Sequence, residues 1–343
     1  MKEQVNSSMI VLAREARGIA QHELAEKINM SATNLSKIER GDIGISAEAV
    51  ETIAEETSFP LQFFVQKGTI IPESLVFRKR RSVAHKLITP IHAKANILKR
   101  HVQFLTYALN IQKPDFPVLN VTQNQSPSKI ALRVRQKWNC TAPVIDNMTK
   151  LLEANGIAIV SFPFNTERVD SLTMLTDDKY PVLFYNKDLQ GDKLRFSLAY
   201  ELGKLVMHTY TTVDFERDIS GEANAFAAEF LMPAKEISKD FDGGITIPLL
   251  AALKRKWKVS MIALLYRADD LGYLTANQKR YLLQQFNELN IRRREPLELD
   301  LPVEQPKLVK RWIAEYKSKT RLGTVEIAAI LCLHADEFME LYS

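Results

Sequence analysis

The stretch RFSLAYELGKLVMH, from Arg195 to His208, sets Glu201 directly after Tyr200 and three residues before Lys204. The same frame carries zinc chemistry when it reads His-Glu-x-x-His. Two histidines one helical turn apart then face the same way and hold the ion, the glutamate between them activates a water, and a third ligand arrives from a later helix. In this chain the two histidine slots are Tyr200 and Lys204. A phenol is a poor zinc ligand near neutral pH, and an ammonium group repels a dication. At a spacing of three, Lys204 is placed to pair with Glu201, so that a side-chain cation substitutes for the metal's charge. The expectation is an ordinary intrahelical ion pair and no catalysis, with Glu201 vestigial. His208, seven residues beyond Glu201 on a similar face, is expected to be structural. A rearranged metal site using His208 with Glu201, Asp214 or Glu216 is the alternative, and it would lack the familiar geometry of zinc hydrolysis.

A second stretch, QHELAEKINMSATNLSKIERG from Gln21 to Gly41, suits two short helices joined by a tight turn. Ala25 is small where the helices would cross, Leu24, Ile28, Leu35 and Ile38 supply a buried face, and Ser31 can cap the second helix. Asn29 falls at the turn, and asparagine tolerates a left-handed backbone. The whole stretch resembles the helix-turn-helix of the lambda-repressor and Cro-like (XRE) family, with Asn29 where that family usually has glycine. The resemblance implies that Gln21 touches a phosphate and that Ala32, Thr33, Asn34 and Lys37 face the major groove. Asparagine reads adenine with two hydrogen bonds, threonine and alanine pack on a thymine methyl, and lysine reaches guanine or a phosphate. The plainer alternative is a solvated polar face on a protein-binding helical module.

The elements that must position these residues can be outlined from pattern. Residues 7 to 57 read as short helices with tight connections, closed by Pro60. From Ser74 to Pro114 there is no Asp or Glu, while Arg78, Lys79, Arg80, Arg81, Lys86, Lys94, Lys99, Arg100 and Lys113 are basic. Those nine of the chain's 46 basic residues leave 37 against 41 acidic ones elsewhere, so the net charge of +5 comes from this one segment. Beside a DNA-binding module, Arg78, Lys79, Arg80 and Arg81 are expected to add phosphate contacts. Leu87, Ile91, Leu98, Val102, Leu105 and Leu109 recur at helical spacing and predict a long linker helix with one apolar stripe. Pro114, Pro117 and the polar NVTQNQSPSK mark a boundary near residue 125. Beyond it, ALRVRQKW and VIDNMTKLLEANG predict helices, and IAIVSF, SLTMLT and YPVLFYN predict strands of a small sheet. Helices follow to about Phe286. KLVKRWIAEYK, TVEIAAILCL and ADEFMELY predict a small helical add-on. Cys140 and Cys332 lie far apart with no Cys-x-x-Cys spacing and are expected to be reduced core residues. The apolar run Met9 to Ala13 is too short for a signal-peptide core and no later stretch approaches a membrane span, so the protein is expected in the cytoplasm.

From about Lys129 to Phe286 the segments LLEANGIAIV, RFSLAYELGKLVMH, EANAFAAEFLMP and LKRKWKVSMIALLYRADDLGYLT, in that order, resemble the ImmA/IrrE family of metallopeptidase domains. The third zinc ligand of that family is usually a glutamate three residues before the alanine of the EANAFAAEFLMP segment, which puts Ser220 in the slot. Glu222 stands two residues further, a rotation of about 200° along a helix, and is expected to point elsewhere. The expected fold is mainly α with an α+β domain. It comprises a helix-turn-helix bundle at 1–66, a basic linker with a long helix at 67–125, a zincin-like ImmA/IrrE-type domain at 126–286 and a small C-terminal helical segment at 287–343. The expected function is a sequence-specific transcriptional regulator, a homodimeric repressor on double-stranded DNA, whose peptidase-like domain senses a small-molecule signal or a protein partner without a metal cofactor. Two alternatives stand beside it: an active zinc peptidase that cleaves a repressor or antitoxin-like partner, and an antitoxin or defence-operon protein that holds a toxin and represses its own promoter.

Overall fold

Residues 5–68, 70–72, 83–210 and 217–342 are described in a computed structural model of the chain. Their contacts fall into two compact units that interleave along the sequence. Met1–Lys113, Ala158–Lys187 and Pro306–Ser343 make the first, and Pro114–Ile157 with Asp188–Gln305 the second.

The first unit starts with four helices, α1 (Ser7–Ala16), α2 (Gln21–Lys27), α3 (Ala32–Arg40) and α4 (Ala47–Thr57). Asn6, Ser31 and Ser46 cap three of them, each side-chain oxygen accepting a backbone N–H that the helix leaves unpaired. Asn29 turns the chain between α2 and α3 in the left-handed region, at φ 51°. Gly41, also left-handed, closes α3, and Asp42 N–H donates to the Lys37 carbonyl at 2.8 Å. Met9, Ile10, Leu24, Ala25, Leu35, Ile38, Ile53, Phe63 and Phe64 are buried together, and Ile28 packs half-buried against them.

The linker helix is present as α5 (His85–Ala108), but its apolar residues form two faces where one stripe was expected. Ala93 and Ile97 join the core of the first four helices, whereas Ile91, Ala95, Leu98, Val102 and Leu105 join a second core. A helix apolar on two sides is a wall between cores rather than a solvated connector. Lys99 is accordingly buried, with its ammonium 3.4 Å from Asp177. The second core is built on three strands, β1 (Ala158–Phe162), β2 (Ser171–Leu175) and β3 (Pro181–Asn186), in the order β1-β3-β2. β3 pairs parallel with β1 and antiparallel with β2, and as the central strand it is buried along its whole length.

Three closing helices follow, α14 (Leu308–Thr320), α15 (Thr324–Ile330) and α16 (Ala335–Tyr342). They are no mere add-on: Trp312, Ile313, Ile327 and Phe338 lie in the sheet's core, with Trp312 edge-on to Tyr180. Arg17, at the end of α1, stacks over Phe59 and pairs with Glu337 of α16 through both guanidinium Nη atoms. Cys332 is buried, Cys140 of the second unit only half-buried, and both are free thiols.

The second unit is helical: α6 (Pro127–Lys137), α7 (Met148–Ala154), α8 (Gly191–Lys204), α9 (Ile219–Leu231), α10 (Ala234–Ile237), α11 (Ile247–Trp257), α12 (Met261–Asp270) and α13 (Ala276–Glu288). Ser126, Asn147, Thr246, Ser260 and Thr275 cap five of these. α8 and α9 pack closely at Gly203, where a Cβ would stand 2.9 Å from the Phe226 ring. Among the described residues no helix is long and apolar enough to cross a membrane.

Candidate functional site

α8 carries the Arg195–Lys204 part of the first motif and then winds on as a π turn, Leu205–Thr209, which contains His208. π turns often mark functional positions because they re-aim the side chains that follow. Glu201 is 1 % exposed, and Lys204 Nζ lies 3.0 Å from its Oε2. The same ammonium is 5.8 Å from the centre of the Tyr200 ring. Tyr200 in turn donates its hydroxyl proton to Ser220 Oγ, at 3.3 Å, near the start of α9. The three positions that the resemblance implies as ligand slots are therefore neighbours in space, and they present a phenol, an ammonium and an alcohol.

Ser220 and Glu222 meet different partners, as two residues on one helix must. Glu222 accepts from Arg217 Nε at 2.8 Å and lies 3.1 Å from His208 Nε2. His208 is thus drawn into a carboxylate–guanidinium cluster. Asp214 and Glu216, the other members of the rearranged metal site considered above, lie outside the described residues.

Several residues that hold this pair of helices carry no signal in the sequence. Arg195, quoted as the first letter of the motif, is buried. Its Nε donates to the Lys258 carbonyl at 2.9 Å, its Nη atoms to the carbonyls of Asp146 and Ile145, and it pairs with Glu304. Lys254 sits between two buried carboxylates, 2.6 Å from Asp192 and 2.6 Å from Glu295. Burial pushes the Glu295 carboxyl up, and the lysine opposes that shift. Arg267 pairs with Glu229 of α9 and donates to the Met232 carbonyl, fixing the end of that helix. In the sequence these residues look like ordinary solvated helix charges. Only the folded chain brings the opposite signs together.

In the first unit, α3 is amphipathic. Leu35 and Ile38 are buried against α1 and α2, while Ala32, Thr33, Asn34 and Lys37 are exposed. Gln21 is half-buried and donates its amide to Glu39 Oε2 at 2.7 Å; Glu39 also accepts from Arg14 Nε at 2.7 Å. The phosphate contact expected of Gln21 therefore competes with a partner inside the module. Arg78, Lys79, Arg80 and Arg81 lie outside the described residues.

Residues 10–64 match the family model described as helix-turn-helix, and residues 152–269 match that of the IrrE N-terminal-like domain. A comparison with curated proteins finds no match to the chain. The second likeness implies a zinc ion, and the described residues do not fit one. Zinc in a catalytic site takes three nitrogen, sulfur or carboxylate ligands with an open position for water. The slots here offer two neutral hydroxyls and a cation, and among the described residues no three His, Cys, Asp or Glu side chains converge as a ligand set.

Proposed function

From a helix-turn-helix module of the XRE type joined in one chain to an IrrE N-terminal-like domain, we propose a sequence-specific transcriptional repressor, dimeric on its operator, whose peptidase-like domain works without zinc. The carrying observation is α3. A recognition helix is useful only if its base-reading side chains project from a rigid support, and Thr33, Asn34 and Lys37 are exposed while Leu35 and Ile38 anchor the same helix in a packed core. The reading of the second domain rests on the paired Lys204 and Glu201 and on the Tyr200–Ser220 hydrogen bond. On this reading Glu201 serves as the ion-pair partner of Lys204 and activates no water.

Dimers of this motif bind half-sites about one helical turn apart, so the operator should be an inverted repeat. Footprinting the purified chain on the DNA upstream of its own coding region tests the proposal. Protection of two symmetric half-sites supports it. Uniform affinity for that DNA and for random duplex would sink it.

A further inference from the structure

Within the first unit an open groove of about 630 Å³ is bounded by the exit of the helix-turn-helix module, by α5, by the β2–β3 turn and by the end of α15. That volume lies in the range of small-molecule sites. Its polar side is built around Arg100. Arg100 Nε donates to Gln66 Oε1 at 2.8 Å, and Nη2 donates to the Lys67 carbonyl, which together fix the plane of the guanidinium. Gly68, at φ 122°, brings the chain so near that a Cβ there would stand 2.9 Å from Arg100 Nη1. The exposed Lys67 lines the same groove. Asp177 on the rim is already engaged, by Lys99 at 3.4 Å and by Gln103 at 3.2 Å, and Asp178 accepts from the Thr176 hydroxyl. The apolar lining is Phe104, held edge-on by Tyr316, together with Ile111 and Tyr107, an aromatic that is 89 % exposed.

A fixed, half-buried guanidinium suits a carboxylate, which it can meet with two parallel hydrogen bonds, and flat aromatic walls suit a ring. We propose that this groove binds a small organic anion, a carboxylate carried on a flat aromatic body, with Arg100 and Lys67 on the carboxylate and Phe104 and Tyr107 on the ring. Burial lowers the Arg100 pKa while the nearby Asp177 carboxylate opposes that shift, so an incoming anion would share the guanidinium's field with Asp177. Gln66 and Lys67 follow directly on the helix-turn-helix helices. Cys332, which also lines the groove, packs in the core of those helices. A ligand here therefore touches the DNA-binding module and the closing helices at once. Its effect on DNA rests on the repressor reading; its binding does not.

Benzoate, indole-3-acetate and their neutral amides, titrated calorimetrically into the whole chain without DNA, test the site. Lys67→Glu and Tyr107→Ala alter exposed side chains and leave the cores intact. At least one carboxylate should bind about ten-fold more tightly than its amide, and each substitution should weaken it by about ten-fold. No binding by any of the four compounds, equal affinity for acid and amide, or unchanged affinity in either variant would overturn the proposal. Operator affinity is measured separately, with and without the carboxylate. Its loss or absence bears on the repressor reading alone, and the calorimetry on the anion site alone.

Discussion

Lys204 holds its ammonium 3.0 Å from Oε2 of Glu201, a carboxylate that is almost wholly buried. The glutamate that a zinc hydrolase would aim at a metal-bound water is here paired to a cation of its own helix. Removing one partner of a buried pair leaves the other uncompensated, which costs more than the pair is worth. Because Lys204 keeps some exposure, Lys204→Met should lower stability in urea denaturation by about 1–3 kcal/mol, less than a fully buried pair would give. Adding Glu201→Gln to it should restore most of the loss. Two losses that simply add would show that the two residues do not act on each other.

The exposed face of α3 predicts a loss of specificity rather than of binding. Asn34→Ala should cost roughly 1–3 kcal/mol at the operator while leaving affinity for random duplex nearly intact. Competition gel shifts decide this, and equal losses on both DNAs would remove Asn34 from base reading.

Neutralising Arg78, Lys79, Arg80 and Arg81 together should flatten the salt dependence of DNA binding. Each phosphate contact contributes about 0.9 to the log-log slope. An unchanged slope would assign these four charges to a solvated linker.

His101 is buried with Nδ1 2.9 Å from the Tyr342 hydroxyl, and burial lowers its pKa to about 4, Glu337 opposing and Arg100 assisting. Between that value and the ordinary 6.5 the unfolded chain binds the proton and the folded chain does not. The stability involved is thus complete above about pH 6.5 and is lost as the pH falls towards 4, roughly 3 kcal/mol in all. Denaturation across that window should be less steep in pH for His101→Gln than for the parent; identical slopes would show that the imidazole does not titrate with folding.

Local pattern made much of this legible. Ser31, Asn29 and the spacing of Leu24, Leu35 and Ile38 specify the helix-turn-helix because caps, a left-handed turn and a 3.6-residue period act over a few residues. IAIVSF and YPVLFYN specify strands because short runs rich in β-branched and aromatic residues suit a buried strand, again a signal confined to a few residues. What stayed hidden depends on distant partners. The second apolar face of α5 needs the sheet to be present, and Ala93 and Ile97 alone look like filler. Arg195, Lys254 and Arg267 look solvated until their carboxylates arrive from elsewhere in the fold. The closing helices, read as an appendage, contribute Trp312 to a core that their own sequence cannot announce.

The proposal that the peptidase-like domain works without zinc is tested most directly by the metal content of the purified chain after equilibration with zinc and exhaustive dialysis. A site with three protein ligands retains its ion through such treatment, whereas Tyr200, Lys204 and Ser220 should not hold one. Elemental analysis should find far less than one zinc ion per chain. Roughly one retained ion per chain, falling when Glu201 is replaced by Gln, would contradict the zinc-free reading and favour a metal-dependent peptidase.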